Sequence, residues 1–326
     1  MPARFAMSQT SAPIAIAVLD DYQDAARRLA DWSAVEARAT VTVFNDHLAD
    51  PDAVAARLQA FDVLCIMRER TPMSRALLER LPRLKLIVST GARNASIDLG
   101  AAAERGVAVA HTGYRSDPTI EMTWALILAA SRHLVRENHA FRSGGWQREI
   151  GVGLRGKTLG VMGLGRVGGE VAKVGAAFGM KLIAWSPNLT PERAEPHGAT
   201  AVSKEALFRQ SDVLTIHMVL APKTRGLVAA AELALMKPTS LLVNTSRGPL
   251  VDEAALVEAL RARRIGGAAL DVFDVEPLPA DHVLRTLDNV LGTPHIGYVA
   301  DDLYRTFYGD TVQALVDWLD QRATAR

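Results

Sequence analysis

Three short segments in the second half of the chain carry side chains able to act together on one small substrate. Each follows a short apolar run, and they are Asn244–Gly248 (NTSRG), Asp271–Pro277 (DVFDVEP) and Thr293–Gly297 (TPHIG). Residues just beyond the ends of parallel strands meet at one edge of the sheet, where ligands bind in open α/β proteins. We therefore expect Arg247, Glu276 and His295 to converge on one crevice.

The chemistry of these three side chains fits a single reaction. The planar fork of donors on Arg247 can hold the carboxylate of a 2-oxo acid and polarise the adjacent carbonyl. His295 can give a proton to that carbonyl oxygen as a hydride reaches the carbon, and can take it back in the reverse direction. Glu276, placed on the other ring nitrogen, would orient the imidazole and stabilise its protonated form.

A glycine motif upstream predicts a dinucleotide site. Residues 163–168 read GLGRVG, directly after the apolar run Thr158–Met162 and before a helical pattern. In such a motif the first glycine allows a tight turn and the second lets a pyrophosphate approach the backbone. The third lets the helix pack closely on the strand. The following helix presents free N–H groups and the positive end of its dipole to the phosphates, so we expect dinucleotide binding here.

The residue after the next predicted strand bears on the choice between NAD and NADP. An acidic residue about 20 positions beyond the glycines would hold the ribose 2′-hydroxyl of NAD, but Ser186 stands there instead. Ser186, Asn188 and Thr190 offer hydrogen bonds to a 2′-phosphate, and Arg193 could pair with one. Alternatively, Arg193 is only a solvated surface residue. Both cofactors therefore remain open at this stage.

Short β-branched runs alternate with amphipathic stretches from Ile14 onward, which predicts parallel sheets with helices on both faces. The predicted strands are Ile14–Leu19, Val41–Phe44, Val63–Met67, Leu84–Val88, Val107–Val109, Thr158–Met162, Lys181–Trp185, Val213–His217, Ser240–Asn244, Gly267–Leu270 and Asn289–Leu291. The predicted helices are Tyr22–Ala30, Pro51–Ala60, Ser74–Arg80, Leu99–Arg105, Pro118–Arg136, Val167–Phe178, Glu253–Arg263 and a last one from about 301 to 319.

Composition excludes several other classes of protein. The chain has 326 residues, enough for two domains, and 37 Lys and Arg against 36 Asp and Glu give a net charge of +1. Nucleic-acid and anionic-membrane binders concentrate basic residues, so we expect neither partner. The single cysteine, Cys65, allows no intrachain disulfide, and we interpret it as a buried apolar residue. Residues 1–13 predict a loose tail without a secretory segment, and we expect a cytoplasmic protein.

The ordered series GLGRVG, NTSRG, DVFDVEP and TPHIG resembles the D-isomer-specific 2-hydroxyacid dehydrogenases, which include glyoxylate/hydroxypyruvate reductases and phosphoglycerate dehydrogenases. The resemblance runs from about Val63 to Tyr298. It implies that the catalytic Arg, Glu and His of the family fall on Arg247, Glu276 and His295. It also implies that backbone N–H groups of the loop Gly91–Asn94 meet the substrate carboxylate.

The same resemblance implies an architecture and a set of binding residues. A Rossmann cofactor domain at 114–297 would be inserted into a flavodoxin-like substrate domain formed by 1–113 and 298–326. Members are usually homodimers joined through the cofactor domains and the long helix predicted from about Pro118 to Arg136. The expected cofactor residues are Gly163, Gly165, Arg166, Val167, Gly168, Ser186, Asn188, Arg193, His217, Thr245 and Asp271. The expected substrate residues are Ala92, Arg93, Asn94, Arg247, His295 and Tyr298; no residue cluster has metal-ligand spacing.

Some positions depart from the pattern of the family. Arg93 stands where a small residue is common, and it either adds a charge for a second acidic group or turns to solvent. Tyr298 is bulkier than its usual counterpart. Together with Tyr304 and Phe307 it either walls the pocket or packs where the domains join. For His217 the sequence suggests a place near the nicotinamide but no definite role.

Two other functions fit parts of the same pattern. A dinucleotide-sensing protein, such as a corepressor, could retain the fold without turnover, although it would not need Arg247, Glu276 and His295 together. A formate- or phosphite-oxidising enzyme could use the same clamp for another small oxyanion. Turnover measured on formate, phosphite and 2-oxo acids distinguishes these possibilities.

Overall fold

The computed structural model describes residues 13–324. The chain divides into two compact units, and we call them the terminal unit, from Met1–Arg115 and Ala300–Arg326, and the central unit, Ser116–Val299. The tail predicted for residues 1–13 lies, apart from Pro13, outside the described residues. Within 13–324, no helix is both long enough and apolar enough to cross a bilayer.

The terminal unit contains a five-stranded sheet in which all neighbouring strands are parallel. Its strands are β1 (Ile14–Val18), β2 (Ala39–Val43), β3 (Val63–Ile66), β4 (Leu86–Ser89) and β5 (Ala108–His111), in the order β2-β1-β3-β4-β5. This is the flavodoxin-like order. Every residue of β3 and β4 is buried, as expected for strands covered on both faces. Cys65 of β3 is among them, and burial raises the pKa of its thiol, which confirms that it is a core residue.

Short helices connect these strands. They are α1 (Ala26–Leu29), α2 (Ser33–Glu36), α3 (Pro51–Leu58), α4 (Arg75–Leu78) and α5 (Leu99–Glu104). Side chains cap several of them: Asp98, for example, accepts a hydrogen bond from the N–H of Ala101 at 2.8 Å, which satisfies a helical donor that would otherwise lack a partner. The helix predicted over Tyr22–Ala30 is shorter than expected, because Asp24 takes a left-handed conformation.

The central unit contains a seven-stranded sheet, again wholly parallel. Its strands are β6 (Thr158–Met162), β7 (Lys181–Trp185), β8 (Thr200–Ala201), β9 (Val213–Ile216), β10 (Leu241–Asn244), β11 (Gly267–Leu270) and β12 (Val290–Gly292). Their order is β12-β11-β10-β9-β6-β7-β8, the doubly wound Rossmann arrangement. The predicted fold class is thereby confirmed. The two-residue strand β8 was not predicted, since it is too short to give a pattern.

The helices of the central unit are α6 (Asp117–Ser131), α7 (Leu134–Arg142), α8 (Arg166–Ala177), α9 (Pro191–Ala194), α10 (Lys204–Gln210), α11 (Ala230–Leu233) and α12 (Glu253–Arg261). The prediction of one helix over Pro118–Arg136 was wrong. His133 takes a left-handed conformation, φ 52°, which a continuous right-handed helix cannot contain. Two helices therefore replace the predicted one.

The chain returns to the terminal unit as one long helix, α13 (Asp301–Thr324). Its buried face carries Tyr304, Phe307 and Tyr308. The hydroxyl of Tyr308 donates to the Asp21 carboxylate at 3.0 Å, and α13 packs against α1 and β4. Tyr304 and Phe307 are thus core residues of the terminal unit, which favours the packing interpretation of these aromatics over the pocket-wall interpretation.

Candidate active site

His295 and Glu276 lie in two loops that follow neighbouring strands, β12 and β11. The imidazole Nδ1 of His295 is 2.5 Å from Oε2 of Glu276. The other carboxylate oxygen, Oε1, accepts a hydrogen bond from the N–H of Phe273 at 2.9 Å. One oxygen therefore fixes the carboxylate to its own loop while the other holds the imidazole. Because the carboxylate is the acceptor, the Nδ1 proton is on the ring.

The His295 ring is held on a second side by an aromatic contact. The Tyr298 ring meets it edge to face, with centroids 5.5 Å apart and planes at 81°. Tyr298 is itself buried, whereas His295 keeps about a quarter of its side chain exposed. No described residue forms a hydrogen bond with the Nε2 atom of His295. The geometry thus leaves Nε2 available for proton exchange.

Arg247 follows β10, and its backbone is fixed by a residue that the sequence analysis missed. The Asn244 side chain donates to the carbonyl of Arg247 at 2.9 Å and accepts from the N–H of Ser246 at 3.0 Å. Asn244 is buried at the end of β10, and a polar residue ending an apolar strand was the available signal. Ser246 in turn donates to the Ile216 carbonyl at 2.8 Å.

Gly248 brings the Arg247 loop against the loop that carries Glu276. A Cβ atom on Gly248 would lie 2.0 Å from the carbonyl of Phe273 and 2.6 Å from the N–H nitrogen of Asp274. No side chain fits in that space, so the backbones of the two loops touch only because residue 248 is glycine. This contact places the segments of Arg247 and Glu276 side by side.

The glycine motif has the geometry that a pyrophosphate requires. Gly163 has φ 97°, and its Cβ would lie 2.5 Å from the His217 carbonyl oxygen. A Cβ on Gly168 would lie 2.1 Å from the Gly163 carbonyl oxygen, whereas one on Gly165 meets no atom within 4 Å. The outer glycines are thus packing positions and Gly165 faces open space. Arg166 and Val167 begin α8, and the motif fits a dinucleotide.

His217 and Thr245 directly follow the neighbouring strands β9 and β10. The Nε2 of His217 is 2.9 Å from the Thr215 hydroxyl, and its Nδ1 is buried without a hydrogen-bond partner among the described residues. Burial lowers the pKa of His217 to about 4, so this imidazole is neutral near pH 7. The Thr245 hydroxyl lies 2.8 Å from that of Thr123. His217 is therefore a neutral, partly buried group whose backbone lies against the glycine loop.

Comparison with known proteins decides the family. The model of the NAD binding domain of the D-isomer specific 2-hydroxyacid dehydrogenases matches residues 124–297, more than half of the chain. The chain belongs to this family. It is 45% identical over 229 residues to a glyoxylate reductase of Aeropyrum pernix, covering 67% of this chain and 68% of that one.

Solved structures of similar proteins cover nearly the whole chain. Phosphoglycerate oxidoreductase from Vibrio cholerae O395 superposes with a TM-score of 0.88 at 38% identity, covering 96% of this chain and all of that one. By sequence alone, the chain is also similar to the D-3-phosphoglycerate dehydrogenase of Methanocaldococcus jannaschii. The two are 42% identical over 245 residues, 74% of this chain. That match spans less than half, 46%, of the curated enzyme.

The loop after β7 is the segment in which the sequence predicts the residues nearest the ribose. It begins at Ser186. The Arg193 guanidinium folds back to donate to the Asn188 carbonyl at 2.9 Å, and both side chains are exposed. The Arg193 guanidinium is thus held at the start of the loop and is also exposed to solvent.

The loop after β4 in the terminal unit is the substrate loop expected from the family. Its Ala92 and Arg93 are exposed, but Asn94 is buried. The Asn94 side chain donates to the Arg68 carbonyl at 2.6 Å and to the Ser89 hydroxyl at 3.0 Å. Arg68 in turn donates to the Thr90 carbonyl at 3.2 Å. The Asn94 side chain therefore braces the loop from inside.

The structure brings together only part of the predicted set. His295, Glu276 and Tyr298 are in mutual contact through His295, and the Arg247 loop touches the Glu276 loop. Asp271, which is expected at the cofactor, forms hydrogen bonds with the backbone of the His295 loop. Within residues 13–324, no group of three His, Cys, Asp or Glu side chains is placed to hold a metal ion.

Proposed function

We propose that the protein is an NAD(P)-dependent dehydrogenase that interconverts a small D-2-hydroxy acid and the corresponding 2-oxo acid. The observation that carries this proposal is the His295–Glu276 pair, 2.5 Å apart, in the same unit as the dinucleotide motif. Family membership and the similar glyoxylate reductase support a hydroxyacid oxidoreductase. A dinucleotide sensor would have no use for a held imidazole with an available Nε2.

In this proposal His295 is the acid and base of the reaction. Its Nε2 gives a proton to the carbonyl oxygen of the 2-oxo acid during reduction, and removes one from the hydroxyl during oxidation. Glu276 keeps the proton of Nδ1 in place and compensates the positive charge when both nitrogens are protonated. Arg247 binds the substrate carboxylate with its paired N–H groups and draws electron density from the carbonyl oxygen.

The glycine motif and the start of α8 would hold the dinucleotide. Gly163, Gly165 and Gly168 shape the cradle, and the free N–H groups of the first turn of α8, from Arg166 and Val167 on, bind the phosphates. We assign His217, Thr245 and Asp271 to the nicotinamide end. When bound, the nicotinamide ring supplies or accepts the hydride at the 2-carbon.

We also propose that NADP is accepted alongside NAD. Ser186 carries no charge to repel a 2′-phosphate, and Arg193 already lies over the start of this loop, bound to the Asn188 carbonyl. A guanidinium in this place can form a charge-assisted hydrogen bond to a phosphate. The side chains of Ser186 and Asn188 add neutral donors.

For the substrate, we propose that 1–113 with 298–326 form the substrate domain and 114–297 the cofactor domain. The backbone N–H groups of Ala92, Arg93 and Asn94 would meet the carboxylate of the substrate. Tyr298 would limit the pocket beside His295, since its ring already packs on the imidazole.

Finally, we propose a homodimer formed through the segment from α7 to Val152. This segment exposes apolar side chains that a monomer would normally bury: Leu134, Val135, Phe141, Trp146, Ile150 and Val152. Trp146 is 75% and Ile150 95% exposed. Large apolar side chains exposed in this number are typical of a protein interface.

An absorbance assay at the nicotinamide band tests the activity. NADH and NADPH are each mixed with glyoxylate, hydroxypyruvate, pyruvate and phenylpyruvate, and loss of reduced cofactor is followed. Oxidation of either cofactor with any of these acids supports the proposal. Silence with all eight pairs, together with dinucleotide binding by calorimetry, would point to the sensor instead, and turnover of formate or phosphite would point to the oxyanion-oxidising alternative.

A further inference from the structure

Asp271 directly follows β11 and is almost wholly buried, with 1% of its surface exposed. Its Oδ1 accepts from the hydroxyl of Thr293 at 2.6 Å and from the N–H of Ile296 at 2.9 Å. Its Oδ2 accepts from the N–H of Gly297 at 2.7 Å. One carboxylate therefore holds three donors of the segment 293–297, on both sides of His295.

The turn held by this carboxylate is one that the chain would not adopt by itself. His295 has φ 53°, in the left-handed region that residues with a Cβ rarely occupy. The N–H of His295 donates to the Thr293 carbonyl at 2.9 Å, which closes a tight turn. Such a conformation persists only where surrounding contacts impose it, and the hydrogen bonds from this turn to Asp271 are contacts of that kind.

The fit between carboxylate and turn is close. A Cβ on Gly297 would lie 2.8 Å from Oδ2 of Asp271, so only glycine lets the backbone approach the carboxylate this nearly. Burial raises the pKa of Asp271, and the cost of burying its charge is offset by the donors of the turn. The left-handed conformation of His295 and the three hydrogen bonds around it thus depend on one buried carboxylate, that of Asp271.

We propose that Asp271 is a positioning residue, whose carboxylate imposes the turn at 293–297 that sets the His295 imidazole against Glu276. This role is distinct from its expected contact with the cofactor, and it rests on the proposed function of His295. If it is correct, loss of the carboxylate displaces the imidazole, whereas the glycine motif and the start of α8, which are proposed to hold the phosphates, stay in place.

The Asp271→Asn variant tests this role because an amide nitrogen cannot accept a hydrogen bond. In the variant, the amide nitrogen of the side chain must face either the N–H of Gly297 or the two donors that bond to Oδ1. On that side of the turn one donor then faces another, and the hydrogen bond is lost. The milder Thr293→Val variant removes only the hydroxyl donor and leaves Asp271 itself unchanged. Thr293→Ser keeps that hydroxyl and serves as the matched rescue variant.

The first readout needs no turnover. The Nδ1 proton of an imidazole bonded to a carboxylate gives a strongly deshielded proton resonance, and Glu276→Gln identifies it in the wild-type spectrum. We expect Asp271→Asn to abolish this resonance, Thr293→Val to shift or broaden it, and Thr293→Ser to retain it. An unchanged resonance in folded Asp271→Asn protein would overturn the positioning role, whatever the activity of the enzyme.

The second readout separates positioning from cofactor binding. We expect kcat to fall about tenfold or more in Asp271→Asn and about threefold in Thr293→Val, the range for one lost hydrogen bond, with a changed pH profile of kcat. Dissociation constants of NADH and NADPH, from calorimetry, should change by less than about threefold in Thr293→Val. Weaker dinucleotide binding with an unchanged pH profile would show that Asp271 acts only on the cofactor.

These outcomes remain distinct from failure of the proposed function. If the wild-type protein turns over none of the tested acids but shows the deshielded resonance, and Asp271→Asn loses it, the positioning role stands while the proposed reaction fails. If the protein is active and the resonance survives in Asp271→Asn, the reaction stands and the positioning role fails.

Discussion

The Nδ1 atom of His295 lies 2.5 Å from Oε2 of Glu276, although the two residues are 19 positions apart in the chain. The pairing of β11 with β12 brings their loops together, with Leu270 opposite Gly292. The hydrogen bond fixes which ring nitrogen carries the proton and leaves Nε2 as the reactive one. We therefore expect substitutions of either residue to alter the activity.

Replacing His295 by Ala should lower kcat by about 100-fold or more, the usual contribution of a positioned acid–base group. Dinucleotide affinity should barely change, because the glycine motif does not contact His295. Glu276→Gln should reduce kcat less, since the imidazole loses its charged partner but not its Nε2. Steady-state kinetics and calorimetry on both variants check this, and undiminished turnover by His295→Ala would exclude the role of His295.

The choice of dinucleotide should depend on the loop after β7. Arg193→Ala should weaken NADPH binding by about tenfold, as expected for one lost charge-assisted hydrogen bond, and leave NADH binding almost unchanged. Ser186→Asp should disfavour NADPH further by repelling the 2′-phosphate. Lys181→Ala, at the other end of β7 and also exposed, is the control. Equal losses for both cofactors in Arg193→Ala would contradict the assignment.

Gly248 should tolerate no side chain. Gly248→Ala places a methyl group 2.0 Å from the Phe273 carbonyl, so the Arg247 and Glu276 loops must separate, and we expect loss of about 1–3 kcal/mol of unfolding free energy, typical of overpacking. The activity of this variant should fall together with its stability. The control is Gly309→Ala, where nothing lies within 4 Å and the residue is helical; that change should stabilise slightly. Chemical denaturation and kinetics of both variants measure the contrast.

His217 should make stability depend on pH below neutrality. Its pKa is lowered to about 4 by burial, against about 6.5 in the unfolded chain. The unfolded state then binds more protons between these values, so the stability present above about pH 6.5 is lost as the pH falls toward 4. The loss between pH 7.5 and 5 should be about 2 kcal/mol.

His217→Asn should flatten this dependence, since asparagine does not titrate. Denaturant unfolding of the wild type and the variant at pH 7.5 and 5 measures the difference. The variant is expected to be less stable at pH 7.5 but to lose less on acidification. An equal loss in both proteins would mean that His217 is not the titrating group.

The exposed apolar segment should control association. Trp146→Ser with Ile150→Asp should convert a dimer into monomers, because the change removes two large apolar side chains and adds a charge at the centre of the proposed interface. Val219→Ser, which alters an equally exposed valine elsewhere in the central unit, is the control. Sedimentation measurements showing a wild-type monomer at micromolar concentration would contradict the homodimer.

The sequence predicted the sheets well because buried parallel strands give short apolar runs that stand out from their surroundings. β3, β4 and β6 were found within one or two residues of their observed ends. The break at His133 was missed, since no local pattern announces a left-handed residue between two stretches with helical spacing. The short helix α9 was missed for a different reason, because four residues give no periodicity.

The site was predictable in part. Arg247, Glu276 and His295 could be proposed from side-chain chemistry and strand ends, but what holds them in place could not. Asn244 and Asp271 act on the backbone of the following loops, and a hydrogen bond from a side chain to a distant N–H leaves no pattern in the chain. Such contacts become visible only when the fold is known.

The central claim is that a hydride passes between the nicotinamide and the 2-carbon of a 2-oxo acid. The most direct test uses NADH or NADPH in which both hydrogens at C4 are replaced by deuterium, with glyoxylate and hydroxypyruvate as acceptors, and determines by mass spectrometry and NMR where the label goes. We expect deuterium on the 2-carbon of the product, and the D configuration of glycerate formed from hydroxypyruvate. Cofactor oxidation that leaves no deuterium on that carbon, or that yields the L product, would contradict it.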